Sequence, residues 1–454
     1  MNTSSTFPPR PPRPRPPARV STAVPSGLPA RLAAVEALDQ ILRAGRALDE
    51  AMASAAGLEP RDRALARNIV ATTLRRLGTL RALLAGVLER GAPRGAPRVE
   101  TVLLVGACQI LFLDVPDHAA VGLAVDIARR DRETAGFAGL INAVLRRITR
   151  EGGERLAEIA PRAPDLPTWL RQRWAATYGE DVSLAIRQAV AQEPPLDLTV
   201  KSDPEGWART LGGEVLPTSS VRLAQAGPVP ALPGYEEGAW WVQDAGAALP
   251  ARLLGPVRGL RVADLCAAPG GKTAQLALAG ARVTAVDRSA DRLRRLAENL
   301  ARLKLEAQIV QADATRFKAE PFDAILLDAP CSATGTVRRH PDIAWHKSTS
   351  DIAALIPVQA RLLDHAADLL KPGGRMVYST CSLEPEEGEH QIAALLARRG
   401  DLERVTLQPE DVPGAEIFIT HQGDLRTLPN QWGHANPLMS GIDGFFASRL
   451  RKRG

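Results

Sequence analysis

The sequence predicts a multidomain chain: an all-α N-terminal domain, a small α+β connecting subdomain, and a C-terminal α/β domain of doubly wound, Rossmann-like architecture. Three observations carry that expectation. Apolar residues recur at three-to-four spacing from about residue 30 to 150, with little β-branched alternation. From Gly259 onward, short apolar runs alternate with helical ones. The chain has 454 residues, more than one core usually organises. The expected divisions are a tail at 1–28, the helical domain at 29–152, the connecting subdomain at 160–235 and the C-terminal domain at 236–454.

The tail is expected to be disordered. Residues 8–17 read PPRPPRPRPP, which can form neither a helix nor a central strand and samples polyproline II. Arg10, Arg13, Arg15, Arg19 and Arg31 all precede the first acid, Glu36, so five of the six net positive charges sit in the tail and its junction. The +6 balance therefore says little about the folded part, although it invites a nucleic-acid reading. A composition of 45% hydrophobic and 24% charged residues excludes a fibrous or wholly disordered chain. Aromatic residues are only 4%, few for a single-strand binder built on stacking platforms. Four cysteines (Cys108, Cys266, Cys331, Cys381) without C-x-x-C spacing predict neither a disulfide scaffold nor a structural metal site. No apolar run is long enough to span a bilayer and no signal core opens the chain, so a soluble cytoplasmic protein with no membrane contact is expected.

In the helical domain, Leu32, Val35, Leu38 and Ile41 share one face, as do Leu140, Val144 and Ile148 beside Ile141 and Leu145. Between them lie helical segments at 64–88, 99–113 and 119–130, broken by Pro93, Pro97 and Pro116. The last helix carries Arg146, Arg147 and Arg150 away from its apolar face, which reads as a solvated surface or an RNA contact. In the connecting segment, Pro161, Pro164 and Pro167 lead into a helix with Trp169, Leu170 and Trp174. A short strand at 196–200 and a proline-rich link to Trp240-Trp241 follow.

The C-terminal pattern gives strands at 262–265, 283–286, 309–310, 324–327 and 376–378, with helices at 273–278, 290–303 and 357–370. Such sheets bind ligands beyond the carboxyl ends of their strands. The first strand runs into Cys266-Ala267-Ala268-Pro269-Gly270-Gly271-Lys272 and then a helix. Paired glycines at that turn let a ligand approach the backbone. A phosphate-binding P-loop would need glycine where Cys266 stands, and no G-x-G-x-x-G is present. Asp287, Asp313 and Asp328 end the next three strands. Acids in that series suit ribose hydroxyls and an amine and repel a triphosphate, so the expected cofactor is S-adenosylmethionine, with no metal.

Cys331 and Cys381 each follow a strand, and those strands are expected to be neighbours. Methyl transfer to oxygen or nitrogen needs no thiol. Carbon 5 of a pyrimidine is a poor nucleophile until a thiolate adds at carbon 6, after which it can take a methyl group; a base removes the carbon-5 proton and elimination expels the thiol. Asp328, if protonated, would hydrogen-bond the ring nitrogen and stabilise charge there. Residue order alone does not decide which cysteine attacks.

Two resemblances sharpen this reading. Arg61-Asp62-Arg63, residues 106–111 (GACQIL) with Val115-Pro116, and residues 139–147 (GLINAVLRR) resemble the transcription antitermination factor NusB, which implies RNA contact. The 266–272 loop, Asp328–Gly335 with residues 340–345 (HPDIAW), and residues 378–383 (YSTCSL) are similar to the Fmu/Sun family of RNA cytosine-5 methyltransferases. The NusB-like front end narrows that likeness to the bacterial RsmB branch, whose members methylate a cytosine of small-subunit (16S) ribosomal RNA. The resemblance implies that Cys381 is the nucleophile and that Cys331 aids product release. It places the cofactor against 266–272, Asp287, Asp313 and Asp328, with Asp443-Gly444-Phe445-Phe446 as a final strand. The chain departs from the family pattern at Lys201, His346-Lys347 and Gly388, positions that bear on RNA grip rather than on the reacting groups.

The rival readings are the same chemistry on transfer RNA, a non-catalytic RNA-binding assembly factor, and an N-methyltransferase; the last two leave the cysteine pair without a task. Arg338 and Arg339 are expected to meet phosphates flanking a turned-out base. A monomer without an obligate protein partner is expected.

Overall fold

A computed structural model describes residues 27–88, 91–159 and 165–454. The Pro/Arg-rich tail, with Arg10, Arg13, Arg15 and Arg19, lies outside the described residues, as do Pro161 and Pro164.

The N-terminal part is helical, with principal helices Leu28–Ala44, Pro60–Arg75, Leu77–Val87, Arg98–Phe112, Asp117–Arg130 and Ala138–Ile159. Their apolar stripes close on one core that includes Leu38, Ile69, Leu80, Leu103 and Leu145, each fully buried. The GACQIL run has a packing explanation. Gly106 lies where Arg98–Phe112 crosses Ala138–Ile159, and a Cβ there would come within 2.6 Å of Leu145. Buried Gln109 accepts from Arg31 Nε at 2.6 Å and donates to the Val105 carbonyl at 3.0 Å, so the one polar side chain of that run has its partners.

The periodicity at 64–88 suggests one continuous helix, but the structure divides it at Arg76, which leaves the helical region (φ −109°, ψ 16°). The second helix starts afresh because Asp165 caps it, accepting from the Thr79 backbone N–H at 2.7 Å and its hydroxyl at 3.0 Å. A residue 86 positions away supplies that cap, which local spacing does not show.

The connecting region carries helices Thr168–Tyr178 and Glu180–Val190 and a four-stranded antiparallel sheet. Its strands are β1 (Leu196–Val200), β2 (Glu214–Val215), β3 (Val221–Leu223) and β4 (Trp240–Val242), in the order β2-β3-β1-β4. The edge strand β4 comes from beyond residue 235, where the connecting subdomain was expected to end. Trp240 explains this: its fully buried indole fills the core that Leu198 and Val221 form.

The larger sheet contains β5 (Arg261–Leu265), β6 (Arg282–Asp287), β7 (Gln308–Gln311), β8 (Phe322–Asp328), β9 (Leu370–Thr380), β10 (Leu402–Arg404), β11 (Leu425–Arg426) and β12 (Phe446–Lys452). Its order is β10-β12-β9-β8-β5-β6-β7, with β11 beside β12. The run β9-β8-β5-β6-β7 is parallel, and β12 enters antiparallel between β9 and β10. Helices Gly271–Leu278, Ala290–Leu303 and Thr349–Asp368 make the crossovers. The last strand starts later than expected. Asp443, Gly444 and Phe445 form a turn before it, because Gly444 N–H donates to the Gly335 carbonyl at 2.8 Å and holds the chain against the loop after β8.

Candidate active site

Every chemistry-bearing residue singled out above falls at the carboxyl edge of the parallel strands. At the first of these edges, β5 ends and Cys266 turns the chain at φ +63°, a left-handed conformation unusual for a residue with a Cβ. Gly270 follows at φ +101°, and a Cβ there would come within 2.7 Å of Leu296. Leu296 belongs to the stripe Leu293, Leu296, Leu300, Leu303 that seats Ala290–Leu303 on the sheet. Glycine is therefore required twice at this position, by backbone angle and by the helix beneath. Asp287, at the end of β6 and buried, braces the loop: it accepts from the Ala268 N–H at 3.2 Å and the Ser289 N–H at 3.0 Å. Asp313 is exposed and accepts from the Thr315 N–H at 2.9 Å and hydroxyl at 2.7 Å.

Beneath the loop, Asp264 is fully buried with Thr273 Oγ1 as its donor at 2.6 Å, and burial pushes its carboxyl up to about 7. The Cys266 thiol is pushed up to about 12, first by burial and then by Asp287, Asp328 and Asp264. Cys108, in the helical core, is likewise raised to about 12 by burial. Neither is suited to supply a thiolate.

The two remaining cysteines meet. Asp328 and Ser379 pair across β8 and β9, and the loops leaving those strands bring Cys331 Sγ and Cys381 Sγ to 3.5 Å. Gly335 N–H donates to the Cys381 carbonyl at 3.0 Å, so the loops are also joined through the backbone. Cys331 is pushed well above the usual thiol range by its hydrogen bond to the Cys381 sulfur, then by burial, then by the charges on Cys381 and Glu387. Asp328 accepts from Lys272 Nζ at 2.7 Å and Ser379 Oγ at 2.8 Å, which links the cofactor loop to the thiol strands.

A cavity of about 420 Å³ opens over this edge, lined by 267–272, Asp328, Cys381, Arg339, His340 and Phe445 among others, with Trp241 and Gln243 from the connecting region. That volume suits a small ligand or one turned-out base. Cys266, Asp287, Asp313 and Cys331 stand outside its lining.

The expectation for Arg338 and Arg339 needs correction. Arg338 is only 2% exposed, and its guanidinium contacts Asp244 at 3.4 Å, Asp443 at 3.4 Å and the Ser440 carbonyl at 3.2 Å, so it is not free for a phosphate. Arg339 reaches the cavity wall but is held by Asp443, with Nε donating at 2.7 Å. Both complete a buried cluster with Asp197, Asp244, Asp443 and Arg222, in which Arg222 forks onto both Asp197 oxygens at 2.7 Å. Adjacent arginines in a loop carry no signature that separates a buried lock from a surface patch.

The segment after the Cys331 loop docks on the helical domain. Trp345 Nε1 donates to the Leu74 carbonyl at 3.0 Å, Arg75 donates to the Arg338 carbonyl at 3.1 Å, and the Leu48 N–H donates to Asp342 at 2.9 Å. Sequence reasoning also missed Glu387. It lies in an acidic run, Glu384-Pro385-Glu386-Glu387, that reads as a solvated turn, yet its side chain is fully buried between the two cysteine loops. Nothing in the residue order announces that.

Among the described residues no helix is long and apolar enough to cross a membrane, and no cluster of potential metal ligands occurs.

A family model described as 16S rRNA methyltransferase RsmB/F matches residues 251–451, and the NusB family model matches residues 28–150. Ribosomal RNA small subunit methyltransferase B of Klebsiella pneumoniae subsp. pneumoniae is 37% identical over 444 residues, covering 93% of this chain and 98% of that one. The protein of the same name from Xylella fastidiosa strain Temecula1 is 38% identical, covering 94% and 98%. Among solved structures, that of PH0851 superposes with a TM-score of 0.73 at 23% identity over 95% of this chain and 99% of that one, a likeness of fold. A methyltransferase homologue from Pyrococcus horikoshii gives a TM-score of 0.51 at 28% identity, covering 62% and 93%. With identity of this extent running through the helical domain, the connecting region and the thiol-bearing sheet edge alike, the chain belongs to the RsmB/F family of 16S rRNA methyltransferases.

Proposed function

We propose that this protein methylates carbon 5 of a cytosine in 16S rRNA, with S-adenosylmethionine as donor and a transient bond between Cys381 and carbon 6 of the base. The observation that carries the reading is the pair of sulfurs 3.5 Å apart at the ends of adjacent strands, one of them facing the cavity that the 267–272 loop also lines. A methyltransferase acting on oxygen or nitrogen has no use for that pair.

The residues present fit the cofactor. The close-approach loop at 266–272, with Asp287 ending β6 and Asp313 just past β7, offers backbone groups and carboxylates for a ribose and an amine, and Asp328 stands on the side of the thiols. When bound, that cofactor supplies an electrophilic methyl group. The protein does the rest. Cys381 adds to carbon 6, which makes carbon 5 electron-rich. Asp328, fixed by Lys272 and Ser379, orients the base. Once a base has taken the carbon-5 proton, the carbon 6–sulfur bond breaks; Cys331, which keeps its own proton more firmly than an ordinary thiol, stands beside the departing sulfur and assists release of the product.

The test compares three proteins on 16S rRNA, with transfer RNA in parallel, using labelled cofactor. Cys381→Ala loses methylation outright. Cys331→Ala accumulates a protein–RNA adduct that survives denaturation. Full activity in Cys381→Ala would overturn the nucleophile assignment, and methylation of transfer RNA alone would overturn the substrate.

A further inference from the structure

Glu387 ends the short turn Pro385–Glu387 that follows the Cys381 loop, and it is fully buried. Its carboxylate collects donors from three places. Ser332, the neighbour of Cys331, gives its N–H at 2.9 Å and its hydroxyl at 2.5 Å. Ser382, the neighbour of Cys381, gives its hydroxyl at 2.6 Å. Gln359, on Thr349–Asp368, donates at 3.1 Å and also holds the Pro330 carbonyl at 2.9 Å. Among the described residues no lysine, arginine or histidine pairs with it. A buried carboxylate served only by neutral donors keeps its field, and at low dielectric that field acts strongly on near neighbours.

We propose that Glu387 is the positioning residue of the two-thiol site: it locks the Cys331 loop to the Cys381 loop and makes the two sulfurs chemically unequal. The lock is geometric, since one carboxylate binds the residues next to both cysteines. The inequality follows from what faces Cys331. Cys381 contributes from the loop after β9, Glu387 from the turn beyond it, Tyr378 from β9, and the Ala333 N–H from its own loop. Only the backbone amide favours a thiolate there, and the groups together hold the Cys331 proton in place. The inference rests on the cysteine chemistry proposed above for its use, but the inequality belongs to the resting protein and needs neither RNA nor cofactor.

The experiment is therefore done without them. Full-length protein is treated with iodoacetamide over a pH series, and the two cysteine-bearing peptides are quantified by mass spectrometry. In the wild type, Cys381 reacts ahead of Cys331 throughout. In Glu387→Gln the Cys331 profile moves to lower pH, and near neutrality its alkylation becomes severalfold faster. An unmoved Cys331 profile in folded Glu387→Gln would overturn the electrostatic half. Ser382→Ala tests the lock, because it removes the tie to Glu387 together with the same hydroxyl's contacts to Ser332 at 3.2 Å and Thr334 at 3.4 Å across the two loops, and leaves the carboxylate in place. The yield of diamide-induced Cys331–Cys381 crosslink then falls severalfold. A wild-type crosslink yield in Ser382→Ala would overturn the lock. Neither readout involves methyl transfer, so failure here and failure of the cytosine reading are separately visible.

Discussion

Buried carboxylates stand in two places beside the cleft, and what faces them differs. Asp197, Asp244 and Asp443 meet Arg222, Arg338 and Arg339, each charge opposed by its counterpart. Glu387, beside the thiols, meets two serines and a glutamine. The arginine-filled cluster joins the small sheet to the turn before β12, and its charges cancel locally. The Glu387 cluster joins two loops of one domain and sets no cation against its carboxylate. The first is architecture; the second acts on the reactivity of its neighbours. What distinguishes them is the donor type, because the burial is the same.

The largest effect that can break this comparison comes from the arginine side. Arg338→Ala removes the ion-pair partner of buried Asp244 and leaves Asp443 with Arg339 alone, which costs about 3–5 kcal/mol of stability. Chemical unfolding measures it, and a wild-type midpoint would remove the distinction between lock and tuner.

Asp264 offers an intermediate test, since it is buried with one hydroxyl donor and a carboxyl raised to about 7. An unfolded aspartate titrates near ~4, so between that pH and about 7 the folded chain holds a proton that the unfolded chain has lost. Stability then falls as pH rises through that window. Asp443, raised to about 6 chiefly by burial, adds a contribution of the same sign. Asp264→Asn flattens the dependence of unfolding free energy on pH in that range; an unchanged slope would show that its proton is not held.

The smallest effect belongs to the surface. Arg147 pairs with Glu151 at 3.0 Å on the solvent-facing side of Ala138–Ile159, where such pairs contribute little beyond measurement scatter. Arg147→Ala lowers stability by no more than that, and a larger loss would mean that exposed pairs here behave like the buried cluster.

Periodicity and motif together made the layered plan legible: the change from helical spacing to strand–helix alternation near Gly259 and the strand-end placement of Asp287, Asp328, Cys331 and Cys381 could all be read in order. What could not be read shares one cause, dependence on a partner far along the chain. Asp165 starts a helix 86 residues earlier, Trp240 completes a sheet begun at Leu196, and Asp443 claims Arg339 from 104 residues away. Arg338-Arg339 and Glu386-Glu387 have the composition of surface pairs, and only the folded chain shows which members are buried. A local pattern fixes which face an element buries, but not which polar group it meets there.

The bonds from Leu74, Arg75 and Leu48 to residues 338–345 give the helical domain a second capacity. They anchor it to the stretch that continues from the Cys331 loop and includes the cavity residues Arg339 and His340. On the reading proposed above, RNA held by the helices would be set at a defined reach from the thiols. Detaching the helices would do more than weaken the grip. It would unseat one wall of the cavity over the thiols.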